Sequence, residues 1–193
     1  MRVRGSTVAL MAFISACSPT ATEPAPDAEY VHVAEGVCST MWDWQLDMGA
    51  IMNAMSAASR AESDSGARLS LYRQSFSEAR VRMEDLEEAI VGLPQGPFVD
   101  RIREDIRNGL FAAEGIITEI DTEVDSLHHA GTNGYREVVP HIFLGFEKVI
   151  DVAKPEMADY GDPELLRAFI SVPQCQHGVK DANDGQPRFV PRS

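Results

Sequence analysis

An apolar stripe between Leu69 and Leu93 constrains the fold of this chain more than any other feature of the sequence. Its members follow one another in alternating steps of three and four residues: Leu69, Tyr72, Phe76, Ala79, Met83, Leu86, Ile90 and Leu93. This heptad spacing predicts an α-helix, because a β-strand has a side-chain period of two. Charged residues such as Arg73, Arg80 and Glu87 lie between the apolar positions. One helix cannot bury such a stripe alone, so the pattern predicts further helices packed against it.

Other segments repeat apolar residues with the same helical period. The predicted helices cover, in order, about residues 39–62, 69–91, 98–127, 138–153 and 163–170. Ser39 or Thr40 is the expected N-cap of the first helix, and the Asp162-Pro163 pair starts the last one. The steps of four from Ile102 through Ile106 to Leu110 interrupt the heptad spacing beside Gly109. This interruption predicts a bend or a close approach of another segment at Gly109.

Turn-forming residues separate the predicted helices. Glu62–Gly66 contains no apolar residue, Gly92–Pro97 contains two prolines and two glycines, and Ala130–Gly134 contains two glycines. Short turns place consecutive amphipathic helices side by side in opposite directions. We therefore predict an all-α fold: an antiparallel, up-down-up-down four-helix bundle whose fourth helix is broken near Pro155 and continues in the short last helix.

The first residues of the chain have the features of an export signal. Arg2 and Arg4 precede a short apolar run, Val8–Ile14, which is too short to span a bilayer. The run ends in Ile14-Ser15-Ala16-Cys17, which resembles the lipobox of bacterial lipoproteins, with isoleucine where leucine is commoner. The resemblance covers the leader only. An ordinary cleaved signal peptide with an incidental Cys17 is the alternative.

The lipoprotein resemblance implies how the chain is divided. Residues 1–16 would be the signal peptide, and Cys17 would carry the lipid that anchors an exported protein to the membrane, facing the periplasm or the cell exterior. Residues 17–37 include a Pro/Thr/Ala-rich stretch typical of a flexible tether. Residues 38–175 would form the bundle domain, and the polar segment 176–193 is expected to be disordered.

If Cys17 carries lipid, two cysteines remain, Cys38 and Cys175. An even pair in an exported chain predicts one disulfide. In the predicted topology both cysteines lie at the same end of the bundle, where such a bridge could form. The alternatives are a reactive thiol or metal ligands, for which the sequence offers neither CxxC spacing nor a nearby basic activator.

The charge of the chain excludes one class of partner. Its formal net charge is −13, and loss of two arginines and no acid with the leader would make it −15. Such an acidic surface repels phosphate backbones, so we expect no nucleic-acid partner. The heptad stripe finds its partners within the chain, which predicts a monomer attached to the membrane through Cys17.

Methionines and histidines offer the most suggestive chemistry. Met52 and Met55 lie near the end of the first predicted helix, His128 and His129 end the third, and His141 lies two turns into the fourth. Thioether and imidazole ligands suit copper, and one methionine with one histidine can ligate haem in a four-helix bundle. The alternative is that the methionines fill the core. No HxxxM or CxxCH motif supports the metal hypothesis, and core packing needs no cofactor.

Motifs of enzymes are missing from the sequence. It contains no GxSxG, HExxH, GxxxxGK[ST] or GxGxxG pattern. Our first hypothesis is therefore a non-enzymatic, lipid-anchored helical module that binds another envelope protein or a small ligand. The second is a copper or haem carrier that uses Met52, Met55, His141 and the pair His128 and His129.

Overall fold

The computed structural model describes residues 25–61 and 64–177, without the side chains of residues 128–137, 158, 176 and 177. The predicted signal peptide, Cys17 and most of the predicted C-terminal tail lie outside the described residues. Within them the chain is helical, with turns and no strand. The elements are α1 (Ala28–Ala61), α2 (Ser65–Val91), α3 (Val99–Val152), a 3-10 turn (Met157–Tyr160), α4 (Pro163–Ser171) and a second 3-10 turn (Pro173–His177).

The heptad stripe is the buried face of α2, as the sequence predicts. All eight of its apolar residues, from Leu69 to Leu93, belong to the hydrophobic core. Asp64 caps the N-terminus of α2, because its carboxylate accepts a hydrogen bond from the Ala67 amide at 2.8 Å. The helix ends at Val91, where the Gly92–Pro97 segment begins.

The expected start of the first helix at Ser39 or Thr40 is wrong. Helix α1 begins at Ala28, so residues 28–37, assigned above to the tether, are helical. The reason is packing, since Val33, Ala34 and Val37 extend the buried face upstream and are almost fully buried. This burial stabilises turns that the sequence composition alone does not mark as helix.

The expected loop at Ala130–Gly134 is helical instead, although the chain does reverse its direction in this part of α3. The backbone is helical without interruption from Val99 to Val152. This range includes Pro140, which the sequence placed in the first turns of a separate helix. Nevertheless α3 is not one straight rod. Gly109 lies directly against the backbone of Val152 and Ala153, which a straight helix would place about 65 Å away. The chain therefore folds back within α3, and its two halves lie side by side.

Gly109 marks the close approach that the interrupted heptad predicts. A β-carbon at this position would overlap the Val152 carbonyl oxygen and come within 2.7 Å of the Ala153 α-carbon. Because both neighbours are backbone atoms, they cannot move aside as a flexible side chain could. Only glycine allows the two halves of α3 to meet here.

Helix α4 and the disulfide close the chain at the end where α1 begins. Asp162 caps α4 as predicted, since its carboxylate accepts hydrogen bonds from the amides of Glu164 and Leu165 at 2.8 and 3.1 Å. The predicted Cys38–Cys175 bridge is present, with the two α-carbons 5.0 Å apart. Through it the C-terminal turn is tied to α1, on which α4 also packs.

Arg103 connects the end of α2 to the start of α3. Its side chain is only 11% exposed, and its guanidinium donates hydrogen bonds to the carbonyl oxygens of Ile90, Val91 and Leu93 at 2.8, 3.2 and 2.8 Å. It also pairs with Asp100 at 3.0 Å. The last carbonyls of a helix lack the usual partners within the helix, and Arg103 supplies donors to them, in addition to the backbone amide of Leu93 that also bonds to Ile90.

Replacing Arg103 by alanine should lower the free energy of unfolding by about 2–3 kcal/mol, because a buried charged donor and three carbonyl bonds are lost together. Arg103→Lys should recover part of this, since lysine lacks the planar fork. Arg82→Ala is the matched control: its pairs with Asp47 and Asp85 are exposed, so we expect a loss below about 1 kcal/mol. Urea unfolding followed by circular dichroism measures all three, and equal losses for Arg103→Ala and Arg82→Ala would contradict the capping role.

Replacing both bridge cysteines, in Cys38→Ala/Cys175→Ala, should lower the free energy of unfolding by roughly 4–5 kcal/mol on the chain-entropy account, because the bridge spans 137 residues. Denaturation midpoints with and without reductant measure the effect. The wild-type protein should shift toward the variant on reduction, whereas the variant should not respond. An insensitive wild-type protein would mean that the bridge contributes nothing.

Candidate functional site

The methionines and histidines proposed as metal ligands lie in different environments. Met55 is 1% exposed within the hydrophobic core, Met52 is half-buried against that core, and His141 is exposed. The side chains of His128 and His129 lie outside the described residues. The burial of Met55 is what core packing predicts, and metal or haem binding by this set stays a prediction.

The two tryptophans near the disulfide separate as their spacing predicts. Trp44 is buried in the core and Trp42 is half-buried. A cavity of about 20 Å³ lies beside the bridge, lined mainly by apolar groups that include Cys38, Met41 and Phe169. This volume holds about one water molecule, so the cavity is too small for a ligand of any size.

An open groove of about 480 Å³ lies between the two halves of α3. Its volume falls in the range of small-molecule and peptide-binding sites. Ile116, Ile120 and Leu144 supply its apolar surface. Leu144 is 60% exposed, so part of this apolar surface faces solvent.

Gly145 keeps this groove open. A β-carbon at this position would lie 2.5 Å from Ile120 Cδ1 and 2.9 Å from Cγ1, so Ile120 rests directly against the helix backbone. A larger residue would have to displace the Ile120 side chain or separate the two halves of α3. The glycine therefore determines how closely the two halves of α3 meet along the groove.

Polar side chains, three of them charged, form the two sides of the groove. Glu119 and Glu123, one turn apart in the first half of α3, lie on one side. Lys148 and His141, from the second half, lie on the other. In the part of the chain that the structure describes, none of the four has an ion-pair partner within 4.0 Å.

The acidic residues of α3 that face α2 form ion pairs, unlike those of the groove. Arg80 pairs with Glu114 at 2.9 Å and with Asp121 at 3.4 Å, and Arg73 pairs with Asp125. Burial is the largest single influence on the pKa of Arg80 and by itself would lower it. The hydrogen bonds to Glu114 and Asp121, together with the charges of these acids, outweigh burial and raise the pKa. The acids on this face of α3 are thus neutralised within the chain, in contrast to those of the groove.

An aromatic cluster lies at the end of the fold that holds the disulfide. The Phe98 ring packs against Tyr30 and Tyr160, with ring centres 6.5 and 6.1 Å apart. Phe98 has a φ of 64°, which is rare for a bulky residue, and the packing of its ring holds this backbone conformation. The Arg101 guanidinium lies 4.7 Å above the Tyr160 ring. The cluster fixes how α3 begins beside α1.

Tyr160 is the titratable group whose environment differs most from water. Burial raises the pKa of the Tyr160 hydroxyl well above its ordinary value, and its hydrogen bond to the Asp105 carboxylate raises it further. The pKa of Tyr30 is also raised, by partial desolvation and by the charge of Asp162, to which its hydroxyl donates at 3.5 Å. Both hydroxyls therefore stay protonated and act as hydrogen-bond donors near neutral pH.

Sequence reasoning missed the groove, although its parts were visible. It gave no role to Glu119, Glu123, Leu144, Gly145 or Lys148. A glycine beside an exposed leucine within a helical period is the signal that could have drawn attention to the groove. The aromatic cluster was missed because Tyr30 fell within the predicted tether.

Comparisons with known proteins add no family assignment. No protein-family model, curated protein or solved structure matches this chain. Among the described residues, no group of three or more His, Cys, Asp or Glu side chains is arranged to hold a metal ion. No helix in the described ranges is both long enough and apolar enough to cross a bilayer. Of the two cavities described above, the groove is the larger and the one with room for a ligand.

Tyr160→Phe should reduce the pH dependence of stability in alkaline solution. Because the folded pKa of Tyr160 lies above the unfolded value near 10, its contribution is complete below pH 10 and is lost as the pH rises further. The wild-type free energy of unfolding should fall between about pH 9.5 and 11 more steeply than that of the variant. At pH 7 the variant should be less stable by about 1–2 kcal/mol, because the bond to Asp105 is lost. Parallel slopes in urea titrations would contradict this role.

Proposed function

We propose that this protein is an exported, lipid-anchored helical-bundle module that binds another component of the cell envelope. The observation that carries the proposal is the Cys38–Cys175 disulfide. Structural disulfides persist in oxidising compartments outside the cytoplasm, which agrees with an export signal before Cys17. Pairing of Cys38 with Cys175 also leaves Cys17 as the one cysteine available to carry a lipid.

The proposed architecture is an up-down-up-down four-helix bundle made by α1, α2 and the two halves of α3. Contacts between distant residues support it. Tyr72, near the start of α2, donates a hydrogen bond at 2.7 Å to Ser59, near the end of α1. Pro94, after the end of α2, lies against Gly36, near the start of α1. Arg73 and Arg80 pair with the first half of α3 in the opposite chain order to Asp125 and Glu114.

The proposed anchor orients this bundle at the membrane. Ala28, the first residue of α1, follows Cys17 by eleven residues. A fully extended chain of that length reaches at most about 40 Å. The end of the bundle that holds the disulfide would therefore face the membrane. The groove residues 116–123 lie beyond the middle of the first half of α3, toward the opposite end, so the groove would remain accessible to other envelope components.

Mass analysis of the membrane-extracted protein tests the anchor. The wild-type chain should begin at Cys17, without residues 1–16, and should carry additional mass from lipid. Cys17→Ser should carry no lipid, because the serine hydroxyl does not replace the thiol in this modification. Cys38→Ser/Cys175→Ser is the matched control and should still be lipidated at Cys17. An unlipidated wild-type chain would refute the anchored part of the proposal.

A further inference from the structure

The groove between the halves of α3 presents apolar surface that the described residues leave exposed. Ile116 is half-buried, and Leu144, opposite it, is mostly exposed. In bundle proteins such a depression between two neighbouring helices can accept the apolar face of a third helix. The groove residues from Ile116 to Glu123 extend over about 10 Å, which is two helical turns. Anchors at positions i, i+3, i+4 and i+7 of a docked helix would match this length.

Charge decides what kind of helix fits. The α2 face of α3 uses Arg73 and Arg80 to neutralise its acids. Glu119 and Glu123 form no ion pair within 4.0 Å with the described residues, and Lys148 lies on the opposite side of the groove. A partner that places lysine or arginine along this side would provide the missing cations. The overall charge of −13 attracts basic segments and repels acidic ones before contact.

We infer that this groove binds a basic amphipathic helix of a partner protein, with apolar side chains on Ile116, Ile120 and Leu144 and basic side chains against Glu119 and Glu123. The inference rests on the proposed binding function and names its partner class. Lys148, on the opposite side, favours a partner helix with an acidic residue on its other flank. The arrangement thus selects the rotation of the bound helix as well as its charge.

A pair of designed peptides tests the groove with the full-length chain in zwitterionic nanodiscs, with empty nanodiscs subtracted. The first peptide is an amphipathic helix with leucines at i, i+3, i+4 and i+7 and lysines beside them. In the second, glutamates replace the lysines. Fluorescence anisotropy at about 0.15 M salt should show binding of the first and at least 10-fold weaker binding of the second. Equal binding, or no binding of the basic peptide, would overturn the inference.

Matched variants locate the binding. Glu119→Lys/Glu123→Lys should weaken binding of the basic peptide at least 10-fold. Glu84→Lys/Glu88→Lys changes the net charge equally at exposed positions with the same spacing on α2, and should change affinity less than 2-fold. An equal loss in both would mean diffuse attraction to an acidic surface and would overturn the inference. Circular dichroism spectra and melting temperatures confirm that each variant is folded.

Leu144→Ser separates docking from charge attraction. It should weaken binding of the basic peptide several-fold. Val81→Ser, at a similarly exposed apolar position on α2, should have no effect on this binding. If Leu144→Ser also has no effect, the groove is not the docking surface. A lipidated chain that fails these peptide tests would retain the proposed anchored function and lose this partner class. A chain that passes them without lipid at Cys17 would retain the groove and lose the anchor.

Discussion

Burial of the α2 stripe is the constraint on which the rest of the structure depends. Tyr72, Phe76, Ala79 and Ile90 are fully buried, and this burial requires apolar faces from α1 and from both halves of α3. At about 25 cal/mol per Å² of apolar surface, such contacts supply most of the free energy that opposes chain entropy. The caps, ion pairs and disulfide then determine how the helix ends are held around this core.

The disulfide end of the fold and the groove farther along α3 differ in how their side chains are paired. At the disulfide end, the Arg103 bonds to the carbonyls of α2, the rings around Phe98 and the Cys38–Cys175 bridge all fix neighbouring segments together. Farther along α3, the groove carries unpaired charges beside an exposed Leu144. Such a surface offers a partner both apolar contact and negative charge. This contrast is why the groove is the surface we assign to a partner.

Several features were predictable because their causes are local. Helical period, turn residues between helices and the caps at Asp64 and Asp162 involve residues within a few positions of one another. The cysteine pairing was predictable for another reason, because only two cysteines remain once Cys17 is assigned to lipid. The start of α1 was not predictable, because residues 28–37 are stabilised by distant contacts and the nearby prolines suggested a tether. The reversal near Ala130–Gly134 was predictable from its turn-forming residues, but the backbone there is helical, so no loop divides α3.

The sequence by itself determined that this chain is helical, which faces of its helices are apolar and which cysteines could pair, because these follow from short-range periodicity and from counting. Only the tertiary structure decided that Gly109 meets Val152, that Arg80 neutralises Glu114 and that Glu119 and Glu123 border an uncovered groove. The physical reason is that ion pairing and surface shape depend on which helix faces meet. Those meetings join residues 34 to 43 positions apart, a distance over which residue type and spacing carry little information.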